Sequence, residues 1–450
     1  MDKNVTIAGA GLVGSLLSIY LARRGYQVQV YERRPDMRKT GADGGRSINL
    51  ALSDRGWRGL EGVGIADDIK KIAIPMFGRQ IHNRDGSTAF QPYGKNNQAI
   101  YSVSRAEINM KLMDLAEERY GVRFHFNKKC SHINRNSGKI IFEDTANGKG
   151  EEVKPSLVFG ADGAFSATRL NMQLQSDRFD YSQHYIESGY KELIIPPGEG
   201  GKFLLEKNAL HIWPRGSFMM IALPNPDGNF TCTLFLPFEG ERSFAKLKTE
   251  NDVEAFFKEE FSDAVPLMPT LLKDFFHNPT SSLVTVKCYP WTFDDRLALI
   301  GDAAHAVVPF YGQGMNCGFE DCVVLDELIE KHQENWPTIL QEYQLHRKPD
   351  ADAIADLAVA NFVEMRDKTA DPKFLLQKKI EARFSEKYPA KWIPLYSMVT
   401  YSPHIRYSTA QKEGEKQQRI MDHVMSMPNI EARWDSEEVE QAMLKELTQN

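Results

Sequence analysis

Hydrophobic residues form short continuous runs at both ends of the first two thirds of the chain. Residues 5–8 make an apolar run that suits a buried strand, residues 12–21 continue with helical spacing, and residues 27–31 form a second strand-like run. Apolar runs of the same kind occupy residues 156–160 and 297–300. Apolar strands that alternate with helical segments are typical of a parallel sheet covered by helices.

The middle of the chain shows a different pattern. Residues 209–214, 217–224 and 229–237 are strand-like runs, and they are separated by Gly216 and by the turn sequence at 226–228. Three such runs with short turns predict an antiparallel meander. We therefore expect a second structural unit, inserted into the one that contains the parallel sheet.

Helical patterns dominate elsewhere. Residues 101–120 predict a helix opened by Ser104, and from Trp336 onward only helical patterns remain. Residues 435–450 are polar and acidic and predict a short amphipathic helix. Because a bilayer-spanning helix needs about 20 apolar residues, we expect no membrane anchor there.

Composition narrows the class of protein. The chain has 450 residues, of which 42% are hydrophobic and 26% are charged, and its formal net charge is −6. Such a chain can bury a large core, and it has no basic excess that would indicate binding to nucleic acid. Its five cysteines include no CxxC pair and no cluster with histidine. We expect reduced thiols, a cytoplasmic location and no metal site.

Glycines follow the first strand at the spacing of a dinucleotide-binding turn. Gly9 allows a tight turn, Gly11 lets a pyrophosphate approach the backbone, and Gly14 lets the helix pack closely on the strand. The following helix start would face the phosphates with free N–H groups. Glu32, at the end of the second strand, is placed to bind a ribose.

Two later motifs make this a predicted flavin site. Asp302 follows a strand, where its carboxylate can accept hydrogen bonds from sugar or ribityl hydroxyls. Gly312, Gly314 and Asn316 then begin a helix whose N-terminus would stabilise the anion of a reduced flavin ring. Asp162, in the motif Gly-Ala-Asp-Gly at 160–163, either contacts the ligand or caps a helix.

These motifs predict an α/β fold class. A Rossmann-type FAD-binding domain would comprise residues 1–70, 101–180 and 285–335. A substrate domain with an antiparallel sheet would comprise 71–100 and 181–284, and a C-terminal helical region would comprise 336–450.

His305 lies in an alanine-rich turn after Asp302, and we expect it to be a hydrogen-bonded structural residue rather than a catalytic base.

At the three motifs the chain resembles the flavin-dependent aromatic hydroxylases. Further segments resemble the members of that family that act on L-kynurenine, and the similarity runs from about residue 4 to about residue 410. These segments are residues 46–52, 91–94, 189–193, 210–214, 309–316 and 396–400.

The resemblance implies a complete reaction. FAD would be bound non-covalently, and NADPH would reduce it as a co-substrate without a second dinucleotide fold. O2 would then give a flavin C4a-hydroperoxide that hydroxylates L-kynurenine next to its amino group, a step in tryptophan degradation towards NAD precursors. The substrate's own amine activates its ring, so no catalytic side chain is predicted.

The resemblance also implies particular contacts. The substrate carboxylate would be held by Arg79, Tyr93, Asn361 and Tyr396, a set with the guanidinium, hydroxyl and amide donors that a carboxylate needs. Besides the three glycines, the predicted flavin contacts are Glu32, Arg33, Ala51, Arg105, Cys130, Asp302, Met315 and Asn316. Position 311 is Tyr, whereas some relatives have His there.

Three other functions are compatible with parts of this pattern. A related hydroxylase acting on a phenol would share the three flavin motifs. A flavin-dependent halogenase would share the fold, but its two-tryptophan signature is represented only by Trp392, near the C-terminus. A non-catalytic FAD-binding protein would need only the flavin motifs.

Overall fold

The computed structural model describes residues 3–40, 48–94, 98–134, 137–293, 295–365 and 371–449. Arg46 and Ser47, which belong to the segment 46–52 discussed above, lie outside these ranges. The strands are β1 (Asn4–Ala8), β2 (Gln27–Tyr31), β3 (Asn49–Leu52), β4 (Ile74–Met76), β5 (Gly78–His82), β6 (Thr88–Pro92), β7 (Ile100–Ser104), β8 (Arg123–His125), β9 (Lys128–Asn134), β10 (Lys139–Asp144), β11 (Gly150–Val153), β12 (Leu157–Gly160), β13 (Asp180–Ile195), β14 (Ala209–Pro214), β15 (Met219–Pro224), β16 (Phe230–Pro237), β17 (Ser281–Tyr289), β18 (Thr292–Phe293) and β19 (Leu297–Leu299).

The helices are α1 (Leu12–Arg23), α2 (Met37–Thr40), α3 (Asp54–Glu61), α4 (Ala66–Lys70), α5 (Arg105–Tyr120), α6 (Ala167–Leu174), α7 (Glu250–Glu260), α8 (Leu271–His277), α9 (Asp302–His305), α10 (Gly314–Lys331), α11 (Trp336–Val363), α12 (Pro372–Lys387), α13 (Leu395–Tyr401), α14 (Tyr407–Met425), α15 (Ile430–Arg433) and α16 (Glu437–Gln449). The predicted helix near the C-terminus is confirmed as α16. In the described part of the chain, no helix is both long and apolar enough to cross a membrane.

The predicted parallel sheet is present. Its six strands have the order β18-β19-β12-β1-β2-β8, and all neighbouring pairs are parallel except β18 with β19. Strands β12 and β19 are completely buried, as expected for strands with helices on both faces. Helices α1 and α10 contribute Leu16, Leu17 and Phe319 to the same core.

The predicted meander forms part of a seven-stranded sheet. Its order is β17-β13-β16-β15-β14-β5-β6, with β14 and β5 parallel and the other pairs antiparallel. One face packs on α7 and α8 through a core that includes Trp213 and Phe257. The other face carries Ile212 and Phe235, which pack with residues of α11 and α13.

The helix predicted for 101–120 is wrong over its first four residues. Residues 101–104 belong to β7, which pairs antiparallel with β3 and with β4. Helix α5 begins at Arg105, and the Ser104 side chain accepts a hydrogen bond from the N–H of Glu107 as its N-cap. Pairing with two distant strands overrides the local helical pattern.

The predicted domain boundaries stay predictions. One of them was placed between residues 284 and 285, which lie within β17.

Candidate functional site

The three glycine-containing motifs meet at one edge of the parallel sheet. Ala8 at the end of β1 pairs with Gly160 at the end of β12, and Gly160 pairs with Leu299 at the end of β19. The turns that follow these strands therefore lie side by side. The carboxyl edge of such a sheet is where open α/β folds bind ligands.

Of the three glycines in the first turn, only one has open space beside its Cα atom. Gly9 has φ 105°, and a Cβ atom there would lie 2.4 Å from the carbonyl oxygen of Ala161. A Cβ atom on Gly14 would lie 2.1 Å from the carbonyl oxygen of Gly9. At Gly11, by contrast, no described atom lies within 4 Å of that position. Gly11 also lines a cavity and precedes α1, whose start has no side-chain cap. This geometry fits a pyrophosphate bound at a helix N-terminus.

The Glu32 carboxylate binds the backbone of this turn. Its Oε2 accepts a hydrogen bond from the N–H of Ala10 at 2.9 Å, and its Oε1 accepts two from the backbone and guanidinium of Arg34. Its contact with a ribose stays a prediction. The neighbouring Arg33 is exposed.

Cys130 lies on β9 and is buried. Burial raises the pKa of its thiol to about 12, so the side chain is an unreactive neutral thiol. Its predicted flavin contact would involve the backbone and stays a prediction. The structure does not bring its side chain to the cavity wall.

The Gly-Ala-Asp-Gly motif at 160–163 leads into α6, and a side chain of α6 contacts the turn that follows β19. The Asp162 carboxylate accepts hydrogen bonds from the Thr168 backbone at 3.0 Å and from the Ser166 hydroxyl at the start of α6. Arg169 donates to the carbonyl oxygen of Ala303 at 2.7 Å and to that of Ala164 at 2.6 Å. Of the two readings of Asp162, the structure favours the helix cap.

The third motif contributes a half-buried carboxylate and a helix start. Asp302 lines the cavity together with Ala51, Arg105 and Met315. Asn316 lies behind the wall: its amide nitrogen donates to the carbonyl oxygens of Ala51 and Gly312, and its oxygen accepts from the N–H of Ser53. Asn316 therefore shapes the wall by joining β3 to the turn before α10, and its predicted flavin contact stays a prediction.

A cavity of about 340 Å³ lies between the sheet edge and the seven-stranded sheet. Its floor is formed by alternate residues of the meander, among them Met219 and Ile221 on β15, which pair with Phe235 and Thr233 on β16. Residues two apart on a strand face the same side. The sequence analysis predicted these strands but singled out none of the residues on the cavity floor. The two-residue period of the strands could have identified them.

Arg79 and three tyrosines form the polar end of the cavity. The Arg79 guanidinium carbon lies 5.5 Å from the ring centroid of Tyr93 and 5.4 Å from that of Tyr396. Tyr311 stacks on Tyr396 at 5.7 Å, and all four residues line the cavity. Burial raises the pKa of Tyr93, Tyr396 and Tyr311, so the phenols stay neutral beside a cation. A guanidinium with hydroxyl donors can bind a carboxylate.

Asn361 is not brought to the wall. Its amide nitrogen donates to the carbonyl oxygen of Phe310 at 2.8 Å and contacts the sulfur of Met365 at 3.4 Å. Phe310 and Met365 do line the cavity. The structure thus places Asn361 as a support for the 309–311 turn, and its predicted substrate contact stays a prediction.

The expectation that His305 is a hydrogen-bonded structural residue is confirmed. Its Nε2 lies 2.6 Å from Asp321, whose other oxygen accepts from Arg347 at 2.7 Å. Burial alone would lower the pKa of His305, but the Asp321 carboxylate raises it well above its usual range.

The same region brings together three residues of metal-binding type. The ligand atoms of His305, Cys317 and Asp321 lie within 4.8 Å of one another, a grouping that the sequence analysis missed because their spacing follows no familiar motif. The guanidinium of Arg347 contacts both Asp321 and the Cys317 sulfur, the latter at 3.3 Å. Its positive charge disfavours a second cation there.

Comparison with known proteins agrees with this geometry. A family model described as FAD binding domain matches residues 2–358. The kynurenine 3-monooxygenase of Flavobacterium johnsoniae is 53% identical over 441 residues, 98% of each chain, and that of Flavobacterium psychrophilum is 52% identical over 99% of this chain and 98% of the relative. The solved tetrameric form of 2-methyl-3-hydroxypyridine-5-carboxylic acid oxygenase shares the fold, with TM-score 0.67 and 21% identity over 82% of this chain and 94% of that one. The chain carries an FAD binding domain and belongs to the kynurenine 3-monooxygenase family.

Proposed function

We propose that the protein is an FAD-dependent, NADPH-using monooxygenase that converts L-kynurenine and O2 into 3-hydroxy-L-kynurenine. One observation carries the proposal. A single cavity has the Asp302 and Met315 wall at one side and the Arg79, Tyr93 and Tyr396 cluster at the other. A flavin and an amino acid bound to these two groups would therefore share one cavity.

The flavin side fits FAD through its backbone shape and one carboxylate. The open position at Gly11 would admit the pyrophosphate, and the half-buried Asp302 would accept hydrogen bonds from hydroxyls of the ribityl chain. Helix α10 would direct its N-terminal N–H groups, from Gly314 onward, at the pyrimidine edge of the ring. When bound, FAD would pass two electrons from NADPH to O2, so that one oxygen atom enters the substrate ring and the other leaves as water.

The substrate side fits an aromatic amino acid. Arg79 would bind the carboxylate through its guanidinium, with the neutral hydroxyls of Tyr93 and Tyr396 as further donors. The aryl ring would lie on the apolar floor, which includes Phe235 and Met219. No carboxylate or imidazole besides Asp302 lies on the described wall, and none is required because the arylamine itself activates the ring. The chain's task is to orient the ring and to exclude water.

The five cysteines are free and buried. Unpaired thiols suit the reducing cytoplasm, which we propose as the protein's location.

The decisive experiment follows NADPH oxidation by the FAD-loaded protein with L-kynurenine, with p-hydroxybenzoate and with no substrate. Mass spectrometry identifies the product. The proposal requires fast oxidation with L-kynurenine and a product heavier by one oxygen atom. Turnover of the phenol instead would indicate a related hydroxylase, and a halogenated product would indicate a halogenase. Stimulation by none of these substrates would favour a non-catalytic FAD-binding protein.

A further inference from the structure

Helix α13 carries Tyr396 and is held in place by its contacts with other parts of the chain. It spans seven residues, Leu395–Tyr401, and begins after Pro394 without a side-chain cap. So short a helix is not stable by itself, and its last carbonyl groups have no partners within the helix. The position of the Tyr396 ring therefore depends on whatever binds the end of α13.

The Arg55 side chain binds that end. It lies on α3 and is completely buried. Its Nε donates to the carbonyl oxygen of Val399 at 2.7 Å, and its Nη2 donates to that of Met398 at 3.2 Å and that of Ser402 at 3.3 Å. The same nitrogen donates to the carbonyl oxygen of Ile405. A buried guanidinium here supplies the missing donors and a positive charge at the negative end of the helix dipole.

Arg55 is itself anchored to the flavin side of the cavity. Its Nη1 lies 2.5 Å from Glu320 on α10, the helix whose first residues line the cavity. The guanidinium also lies over the ring of Tyr407 at 3.9 Å, and the Tyr407 hydroxyl donates to the Gln313 side chain at 2.8 Å. Gln313 directly precedes α10. One arginine thus joins the helix that carries Tyr396 to the helix that faces the flavin.

We propose that Arg55 is a positioning residue for the substrate carboxylate: by holding the end of α13, it keeps Tyr396 beside Arg79. Arg55 does not line the cavity in the described structure, so it acts through α13 and not by contact with the substrate. This inference rests on the proposed function, because it concerns the group that recognises the carboxylate.

The test compares two ligands on FAD-loaded protein. The equilibrium affinity for L-kynurenine and for its decarboxylated amine is measured by calorimetry in wild type, Arg55→Gln and Arg55→Lys. We expect Arg55→Gln to weaken L-kynurenine binding by roughly ten- to a hundredfold, since small misplacement of a binding group costs that much. The amine should bind all forms within about twofold. Arg55→Lys should recover part of the loss, because an ammonium cannot reach several carbonyls as a planar fork does.

Arg58 provides the matched control. It lies on the same helix, contacts the carbonyl oxygen of Pro403 at 3.4 Å and pairs with Glu327 at the surface. Arg58→Gln should leave both affinities unchanged. FAD content and near-ultraviolet circular dichroism show whether each variant is folded.

Glu320→Gln keeps the inference testable if Arg55→Gln does not retain FAD. It removes the charged anchor that Arg55 shares with Arg347 while preserving shape, and it should produce the same selective loss of L-kynurenine affinity. Unchanged L-kynurenine affinity in the folded variants, or an equal loss for both ligands, would overturn the role of Arg55. Failure of wild type to bind L-kynurenine would overturn the proposed function and this inference with it.

Discussion

The rings of Tyr93 and Tyr396 stack with centroids 5.6 Å apart and planes 13° apart. One residue follows an edge strand of the seven-stranded sheet and the other lies in the C-terminal helical region. The Arg79 guanidinium lies against both rings. The polar end of the cavity is therefore built jointly by two distant parts of the chain.

Arg79→Ala should damage substrate binding and spare FAD. Truncating one partner of a largely buried charge pair costs about 2–5 kcal/mol, or roughly 30- to several-thousand-fold in affinity. Arg79→Lys should recover only part, and the decarboxylated amine should bind wild type and Arg79→Ala equally. Steady-state KM and FAD absorbance are the measurements. Arg84→Ala is the control, because Arg84 is exposed and pairs with Glu260. An unchanged KM, or loss of FAD, in Arg79→Ala would remove the assignment of this residue.

Asp302→Ala should lower FAD occupancy. It removes a charged acceptor for ribityl hydroxyls, a contact of roughly 1.5–3 kcal/mol. Equilibrium dialysis of FAD against the apoprotein measures the change, with Asp295→Ala as the control because Asp295 is exposed and pairs with Arg296. Full occupancy together with wild-type turnover would contradict the role given to Asp302.

Gly11→Ala and Gly14→Ala should fail in different ways. A Cβ atom at Gly11 meets no described atom within 4 Å, whereas one at Gly14 meets the Gly9 carbonyl oxygen at 2.1 Å. We therefore expect Gly11→Ala to leave the melting temperature of the apoprotein unchanged and to weaken FAD binding, since the methyl group occupies the pyrophosphate's space. Gly14→Ala should lower the apoprotein's melting temperature. If Gly11→Ala bound FAD normally, the phosphates would lie elsewhere.

The contribution of His211 to the free energy of unfolding should fall as the pH drops from 6.5 to 4, while the Asp54 carboxyl, whose pKa burial raises to about 6, acts in the opposite direction. His211 is buried between His82, at 2.9 Å, and the carbonyl oxygen of Glu206. Burial lowers its pKa from 6.5 to about 4, so in this window the unfolded chain binds a proton that the folded chain does not. The contribution of His211 is fully present above pH 6.5, and about 3 kcal/mol of it is lost by pH 4.

Denaturant titrations across this pH range measure that loss. His211→Gln should remove this contribution, so the variant should lose less stability than wild type between pH 6.5 and 4, whatever its absolute stability. Asp263, bonded to His82, has a lowered pKa and contributes below this window. The raised pKa of His305 affects stability only above pH 6.5. An identical slope in wild type and His211→Gln would show that His211 does not titrate as described.

Patterns between residues close in the chain predicted several turns and strands of this protein. The turn from β1 through Gly9 to Gly14 and the meander of β14–β16 were predictable because glycine sterics and strand period act between residues close in the chain. The three motifs each follow a parallel strand, and the carboxyl ends of such strands lie at one edge of the sheet. Family resemblance then identified Arg79, Tyr93, Asn361 and Tyr396 as a set, and the structure brings all of them except Asn361 to the cavity wall.

Only the tertiary structure decided the remaining features. Residues 101–104 form a strand because β3 and β4 pair with them, and such pairing has no local signal. The hydrogen bonds of Asn316 and Asn361 go to the chain itself, which depends on where β3 and Phe310 lie. The buried contacts of Arg55 join α3, α10 and α13. Their physical reason is the same in each case: a buried polar group bonds to whichever partner the fold brings near, and that partner is distant in sequence.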